Sequence, residues 1–326
     1  MPNDRLKNYL HLHLLVFIAG FTAILGQLIS IDAIPLVWYR MLFALVLICI
    51  YAFISKAKIN IPSSSIVKLS LAGVLIALHW ITFFASIKVA NISIALAMFS
   101  TGAFFASLIE PIIYKRKIIW YEILFGVLVI IGVSIIMQNE FKYINGILLG
   151  IASAFFSSLF AVLNGKFLEK HSATVISFYE FLAGILCISI FLIIFEGGFT
   201  HDFFMLSNND WLYLFILASI CTAYAFIAAV YVMKYISPFT VILTYNLEPI
   251  YGIILALILF PDTEKMSLQF YIGAILIIGV VVLNGFKLIE SVNVLPSAVE
   301  IVSAAFEESY VNPVTPATAT DPAESS

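Results

Sequence analysis

Apolar residues run without interruption for about twenty positions at a time along most of this 326-residue chain. An α-helix rises 1.5 Å per residue, so about twenty residues cross the ~30 Å hydrocarbon core of a bilayer. Strands of a membrane barrel would instead alternate apolar and polar residues over about ten positions. The pattern therefore predicts an all-α membrane protein. The ten predicted spans are 11–31, 36–54, 68–88, 92–114, 121–138, 145–165, 174–195, 211–233, 238–260 and 268–288.

The composition supports a membrane environment. Hydrophobic residues make up 63% of the chain and charged residues only 11%, whereas roughly a quarter of the residues of a soluble domain are charged. Most of the surface must therefore face lipid, where every backbone polar group has to be paired within the structure. The net charge of −3 and the lack of a basic stripe in the sequence argue against a nucleic-acid partner.

The distribution of Lys and Arg predicts the orientation. With a cytoplasmic N-terminus, most basic residues fall on the inner side and few on the outer side. The inner set is Arg5, Lys7, Lys56, Lys58, Lys68, Lys115, Arg116, Lys117, Lys166, Lys170, Lys234 and Lys287, and the outer set is Lys88, Lys142 and Lys265. The positive-inside rule then places both termini in the cytoplasm, as ten spans require. Residues 1–10 form a cytoplasmic N-terminus, and residues 291–326, rich in Pro, Thr, Ala and Ser, are predicted to be a disordered cytoplasmic tail.

The two halves of the chain repeat at an offset of 147 residues. The matched positions are Gly102 with Pro249, Gly126 with Gly273, and Gly132 with Gly279. Each half holds five predicted spans, so the second half enters the membrane from the opposite side. This indicates an inverted repeat of the kind found in secondary transporters, although two unrelated apolar stretches could share these glycines by chance.

The motifs around this repeat resemble those of the drug/metabolite transporter superfamily, in members that carry two EamA domains. The resemblance rests on "EPIYGIILALILFPDTE" from Glu248 to Glu264, on the helix that follows, and on the shorter echo "TGAFFASLIEPIIYKRK" from Thr101. In the first half Gly102 replaces the family's proline and Lys117 its acidic residue, so that motif is degenerate. The resemblance implies EamA repeats at 11–138 and 145–288, a central cavity, and transport or export of small metabolites. The distribution of basic residues fits a bacterial inner-membrane protein.

Glu248 is the first candidate for a functional group in the membrane. It lies near the middle of the ninth predicted span, directly before Pro249, where a kink is expected. Charged groups inside a membrane are costly and are usually functional. We therefore expect Glu248 to bind substrate or relay a proton, and the alternative is a structural carboxyl that bonds to a neighbouring helix.

Three other charged residues have two interpretations each. Arg40 either binds a carboxylate or phosphate, or reaches toward the interface beside Trp38 and Tyr39. Glu180 is the repeat counterpart of Arg40 and is either part of a gate or interface or solvated. Glu110, before Pro111 and a basic cluster, is either functional or pairs with that cluster near the cytoplasmic surface.

Further polar and aromatic residues are predicted to face a cavity. His79 and Trp80 lie in the middle of the third span, where His79 is either a packing group or a substrate donor. The other candidates are Ser100, Thr101, Asn164, Tyr224, Tyr245 and Asn246.

These features predict a secondary transporter rather than an enzyme. The sequence holds no nucleotide-binding loop, no metal-ligand spacing and no catalytic nucleophile motif, so no metal or cofactor is expected. The expected partners are the lipid bilayer and a small molecule such as an amino acid, exported by alternating access. Proton coupling through Glu248 and uncoupled facilitation or exchange remain alternatives. A membrane-embedded enzyme and a structural or sensor protein are the rival classes.

Overall fold

The computed structural model describes residues 2–115, 117, 120–225, 228, 232, 244–245, 247–280 and 282–283. Within these residues the regular structure is helical and no strand occurs, which confirms the predicted class. The first half contains α1 (Pro2–Leu28), α2 (Ala33–Ile54), α3 (Ser63–Val89), α4 (Ile92–Phe99), α5 (Gly102–Tyr114) and α6 (Trp120–Glu140).

The second half begins after a 3₁₀ turn at Phe141–Tyr143. Its helices are α7 (Ile144–Leu168), α8 (Ala173–Phe195) and α9 (Asn208–Ala218), which continues as a π-helix at Ser219–Tyr224. The remaining described helices are α10 (Glu248–Leu259), a single helical turn at Pro261–Glu264, and α11 (Leu268–Val280). The predicted residue Asn246 and the predicted tail 291–326 lie outside the described residues.

Several of these helices are long and apolar enough to cross a membrane. Six such segments occur in the described part of the chain, at Lys7–Leu28, Ala33–Ile54, Ser63–Val89, Ile92–Tyr114, Gly126–Leu168 and Ala173–Phe195. The Gly126–Leu168 segment joins most of α6 to α7. Two shorter apolar helices, α10 and α11, follow them. The chain is thus an integral, multi-pass membrane protein.

Glycines allow the helices to approach one another closely. A Cβ added to Gly73 of α3 would lie 2.2 Å from the backbone oxygen of Glu180 on α8. Gly20 of α1 faces the backbone of α10 at Gly252, and Gly132 of α6 faces Gly273 of α11. Small residues at such crossings permit backbone contact, which drives helix association in lipid. The fifth predicted spans of the two halves therefore pack directly against each other.

The fourth predicted span is interrupted at an equivalent position in each half. Helix α4 ends at Phe99, and α5 begins after the turn at Ser100 and Thr101. In the second half a turn at Leu247 precedes α10, and Leu247 lies 147 residues after Ser100. Pro249 stands in the first turn of α10, where its missing N–H costs nothing.

Side chains connect the links between helices at one end of the bundle. Glu264 Oε1 and Oε2 accept hydrogen bonds from the backbone N–H groups of Ile92 (2.9 Å) and Ser93 (2.8 Å), which open α4. Asn91 Oδ1 accepts from Ile94 N at 2.8 Å. The carboxylate from the second half thus satisfies N–H groups that a helix start leaves unpaired in the first half.

Two more carboxylates accept hydrogen bonds from the opposite half of the chain. Asp210 accepts from Ser30 N at 2.6 Å and from Ser30 Oγ at 2.7 Å, and Glu140 Oε1 accepts from Ser267 N at 3.0 Å. We call this end, which carries Ser30, Asn91, Glu140, Asp210 and Glu264, the clasped end.

A cluster of aromatic side chains lies at the same end. Its members, in contact with one another, are Trp38, Tyr39, Phe199, Phe203 and Trp211.

Candidate functional site

A cavity of about 330 Å³ lies between α1, α2, α3, α4, α7, α8, the π-helix and α10. Its wall is mainly apolar and aromatic, with a few polar groups, as is usual in small-molecule sites. The aromatic rings of the wall belong to Trp80, Phe83, Phe99, Phe160, Phe181 and Tyr245. The volume suits a small organic molecule.

Arg40 is the central cation of this cavity. It is only 4% exposed, and its Nε donates to Thr222 Oγ1 at 2.9 Å. Its guanidinium carbon lies 4.0 Å from the ring centroid of Trp80, a cation–π contact that fixes the plane of the group. Nη1 is buried without a hydrogen-bond partner among the described residues. Arg40 is thus held rigidly, with one donor group that the described residues leave unused.

The π-helix places the partner of Arg40. Thr222 Oγ1 donates to Leu217 O at 2.8 Å, five residues earlier, and so keeps a lone pair for Arg40 Nε. Short π-helical segments inside α-helices frequently occur at functional sites. Here the segment brings Cys221 and Thr222 to the cavity wall.

Glu248 supplies the opposite charge to the same cavity. It is the first residue of α10, so the interruption at Leu247 fixes where its side chain starts. It lines the cavity together with Arg40, and the two charges attract each other. A cation and an anion therefore face one mainly apolar chamber.

His79 is oriented by α7. Its Nδ1 lies 2.9 Å from Ser153 Oγ and 3.1 Å from Ser153 O. Because a carbonyl oxygen only accepts, the second contact requires a proton on Nδ1, and in the neutral ring Nε2 is then an acceptor. The ring also stacks on Phe99 with a centroid distance of 5.4 Å. His79 is held in place as one wall of the cavity.

The structure brings together five of the residues that we predicted to bind substrate. They are Arg40, His79, Trp80, Tyr245 and Glu248. The hydroxyls of Ser100 and Thr101 instead donate to Leu96 O and Met98 O, within the turn between α4 and α5. They satisfy the local backbone there and lie outside the cavity lining.

Tyr224 is also placed elsewhere. It is 43% exposed and its hydroxyl lies 2.8 Å from His11 Nε2. The π-helix turns Cys221 and Thr222 toward the cavity, and Tyr224 contacts α1 on another side. Tyr224 therefore does not line the cavity, in contrast to the prediction.

None of the four residues predicted to gate or support the site is part of the cavity lining. Gly102 packs on α7, where Ser158 Oγ donates to its carbonyl at 2.7 Å. Glu110 is half-buried on α5, away from the cavity lining. Pro249 is buried at the start of α10, and Glu180 is fully buried on α8.

Sequence reasoning did not identify several residues of the wall. Thr222, Ser157 and Phe181 stand in long apolar segments and carry no charge, so no local signal separates them from packing residues. The π-helix likewise has no signature in the sequence. Pro249 marked the second of the two interrupted segments, and the offset of the repeat connected it to the first. Interrupted helices in corresponding positions point to a binding site.

These features define a class, a multi-pass helical membrane protein with a small-molecule cavity between its helices. The chain belongs to the EamA-like transporter family, whose model matches residues 6–138 and again residues 144–286, one copy in each half. This confirms the resemblance to EamA transporters of the drug/metabolite transporter superfamily. Members of this family are transporters that act in membranes.

Comparison with solved structures supports the fold. One crystal structure of a protein aligns with a TM-score of 0.58 and 15% sequence identity, covering 85% of this chain and 97% of that one. At this identity the likeness concerns the fold alone. No curated protein matches the chain.

Proposed function

We propose that the protein is a secondary transporter that exports amino acids, which bind between Arg40 and Glu248. The observation that carries this proposal is the pairing of a buried cation, with an unused N–H group, and a carboxylate across one mainly apolar cavity. An α-amino acid carries the complementary pair of charges. Its side chain would pack against the aromatic wall.

Arg40 suits the carboxylate end of such a substrate. A guanidinium offers N–H donors in a fixed plane, and charge-assisted bonds to a carboxylate are stronger than neutral ones. Because Thr222 and Trp80 already fix that plane, binding requires little further ordering of the side chain. Nη1 is the donor that remains for the ligand.

Glu248 suits the ammonium end, and it supports two hypotheses for coupling. If Glu248 exchanges a proton for the substrate ammonium, transport is proton-coupled. If Glu248 stays charged throughout, transport is facilitated or exchanges substrates. Reconstituted protein that moves substrate without any pH or voltage dependence would exclude the first hypothesis.

Alternating access follows from the repeat. We propose ten transmembrane helices in two inverted five-helix repeats, at 11–138 and 145–288, with cytoplasmic residues 1–10 and 291–326. The clasped end would then face the outside, and the conformation described here would be closed there. The interrupted segments at Ser100 and at Leu247 are suited to bending during the exchange. A bacterial inner membrane is the proposed location.

The test is a thermal-shift screen of the purified protein against amino acids, sugars and nucleotides. A ligand that binds only the folded state raises the melting temperature by mass action. We expect stabilisation by one or more amino acids, lost in Arg40→Ala and in Glu248→Gln. Lys142→Ala and Glu169→Gln, at exposed positions outside the cavity, are the matched controls and should keep the shift.

Two results would overturn the assignment. If only sugars or nucleotides stabilise the protein, the substrate class is wrong. If an amino acid stabilises Arg40→Ala as strongly as the wild type, the ligand binds at another place.

A further inference from the structure

A second ionisable group is buried away from the cavity lining. Glu180, on α8, is 0% exposed, and neither Oε1 nor Oε2 has a hydrogen-bond partner among the described residues. The backbone of α3 at Gly73 touches the backbone of Glu180, which closes that side of the group. A carboxyl in this position is either charged without compensation or neutralised by something that it binds.

Two neutral side chains with unused oxygen atoms accompany Glu180. Ser177 precedes it by three residues on the same face of α8, is 1% exposed, and has an Oγ without a partner in the described part of the chain. Asn164 of α7 lies beside the carboxyl and interacts with it, although no hydrogen bond of ordinary geometry reaches either carboxyl oxygen. Its Oδ1 also lacks a partner there.

The charged and titratable groups on the packed elements are engaged elsewhere or lie at the surface. On α2, α3, α7 and α8 they are Tyr39, Arg40, Cys49, Tyr51, Lys68, His79, Lys88, Lys166, Tyr179 and Cys187. Arg40 is bound to Thr222, His79 to Ser153, and Lys88 to the carbonyl of Ile29. No cation among the described residues forms an ion pair with Glu180.

The cost of an isolated charge decides between these states. A charged carboxylate in the membrane interior is energetically costly, and the cost rises when the carboxylate has no hydrogen bond. Uptake of one proton from water removes the charge and creates an O–H donor. Asn164 Oδ1 and Ser177 Oγ, which lack a partner in the described part of the chain, are the acceptor groups that accompany this carboxyl.

We propose that Glu180, Asn164 and Ser177 form a proton-binding site, distinct from the substrate cavity. The proton binds to one carboxyl oxygen of Glu180, and the neutral carboxylic acid lies beside the unpaired oxygen atoms of Asn164 and Ser177. The proton comes from hydronium in the aqueous phase, so one O–H bond of hydronium breaks as the carboxyl O–H bond forms, and water is released.

Phe181 connects the site to the cavity wall. Phe181, next to Glu180, lines the cavity and contacts Trp80 edge to face at 5.5 Å between ring centroids. Trp80 in turn stacks on Arg40. Glu180 is also the repeat counterpart of Arg40, 140 residues later. If the proposed transport function holds, and this role rests on it, proton binding at Glu180 acts on the substrate site.

Infrared difference spectroscopy of the full-length protein in lipid nanodiscs tests the site without any substrate. We expect the C=O stretch of a buried carboxylic acid at neutral pH, lost in Glu180→Gln and kept in Glu169→Gln, where the carboxyl is exposed. Glutamine has the shape of the protonated acid, so Glu180→Gln should melt within a few degrees of the wild type. Melting curves establish that the variant is folded.

Three outcomes are informative. A band that is lost only in Glu180→Gln supports the proposal. A spectrum unchanged by Glu180→Gln overturns it, and so does a band that added Na⁺ abolishes at constant pH, because the site would then bind a metal cation. Since no substrate enters this test, the band can be present even if the amino-acid assignment fails.

Discussion

The side chain of Arg40 shows how much of the site depends on contacts between distant parts of the chain. Its partner Thr222 is 182 residues away, and Trp80 lies on another helix. The sequence indicated that Arg40 is unusual, because a charge inside a span is costly. It left open whether Arg40 binds a ligand or reaches the interface, since that choice depends on which helices pack against α2.

Asp210 illustrates a residue that received no sequence-based role. Its carboxylate accepts hydrogen bonds from Ser207 Oγ (2.6 Å) and from the N–H and hydroxyl of Ser30. Burial alone would raise the pKa of Asp210, but these hydrogen bonds outweigh it and hold the pKa below its usual value. It precedes the eighth predicted span, at the clasped end.

The pH dependence of stability follows from this shift. A carboxyl with a lower pKa in the folded state stabilises the protein fully above its unfolded pKa, and this contribution is lost as pH falls through the folded value. We predict that Asp210→Asn lowers the melting temperature at neutral pH. We also predict that the melting temperature of this variant falls less steeply than that of the wild type as the pH is lowered. Melting curves over a pH series check this, with exposed Asp262→Asn as the control. If the melting temperatures of Asp210→Asn and the wild type fall equally with decreasing pH, the carboxylate of Asp210 does not stabilise the folded state as described.

At the scale of helices, the close contacts at glycines predict which glycine substitutions destabilise the protein, which the sequence alone did not indicate. Gly73→Ala would force a Cβ to within 2.2 Å of the backbone oxygen of Glu180, which cannot move aside as a flexible side chain can. Overpacking of this kind costs about 1–3 kcal/mol. We therefore expect a clearly lower melting temperature for this variant.

Gly279→Ala is the matched control for Gly73→Ala. Among the described residues, no atom beyond its own stretch of helix lies within 4 Å of the added Cβ, and Gly279 is inside α11. Replacing a helical glycine in open space should be neutral or slightly stabilising. Equal melting temperatures for the two variants would contradict the close contact of α3 with α8.

The start of α4 yields a prediction about the link between the two halves. Glu264 is fully buried and caps the N–H groups of Ile92 and Ser93. Glu264→Ala removes both acceptors, so we expect a loss of roughly 2 kcal/mol or more. Thermal or denaturant unfolding measures it, with exposed Asp262→Ala as the control. A loss no larger than that of the control would show that the cap does not stabilise the protein.

Local patterns explain which elements could be predicted. Long apolar runs indicated most helices of the described chain, and the offset of 147 residues singled out Gly102 and Pro249. Proline chemistry predicted a disturbance near residue 249, yet a kink and a new helix start satisfy the same constraint. The π-helix at Ser219–Tyr224 was not predicted, because it adds one residue to a turn without altering the apolar pattern.

At the scale of the whole molecule, family membership and helical class could be predicted, because they depend on composition and motif. The clasped end could not, since its hydrogen bonds join segments 127 to 180 residues apart. The acidic residue Glu264 was noted for its motif, and its capping of α4 explains why an acid is useful there. The cavity likewise required the packing of both halves.

The central claim is that the cavity at Arg40 is reached from one side of the membrane at a time. Cys221 offers a direct probe, because it lines this cavity and is 8% exposed, whereas Cys49 and Cys187 face outward. Replacing Cys49 and Cys187 by alanine leaves Cys221 as the single thiol, and a variant lacking all three cysteines controls for background.

The measurement is the rate at which a membrane-impermeant thiol reagent modifies Cys221 in vesicles of known orientation. The account predicts modification from the cytoplasmic side, much slower modification from the side of the clasped end, and protection by any amino acid that stabilises the protein. Equal rates from both sides, or no modification from either side, would contradict a cavity with alternating access.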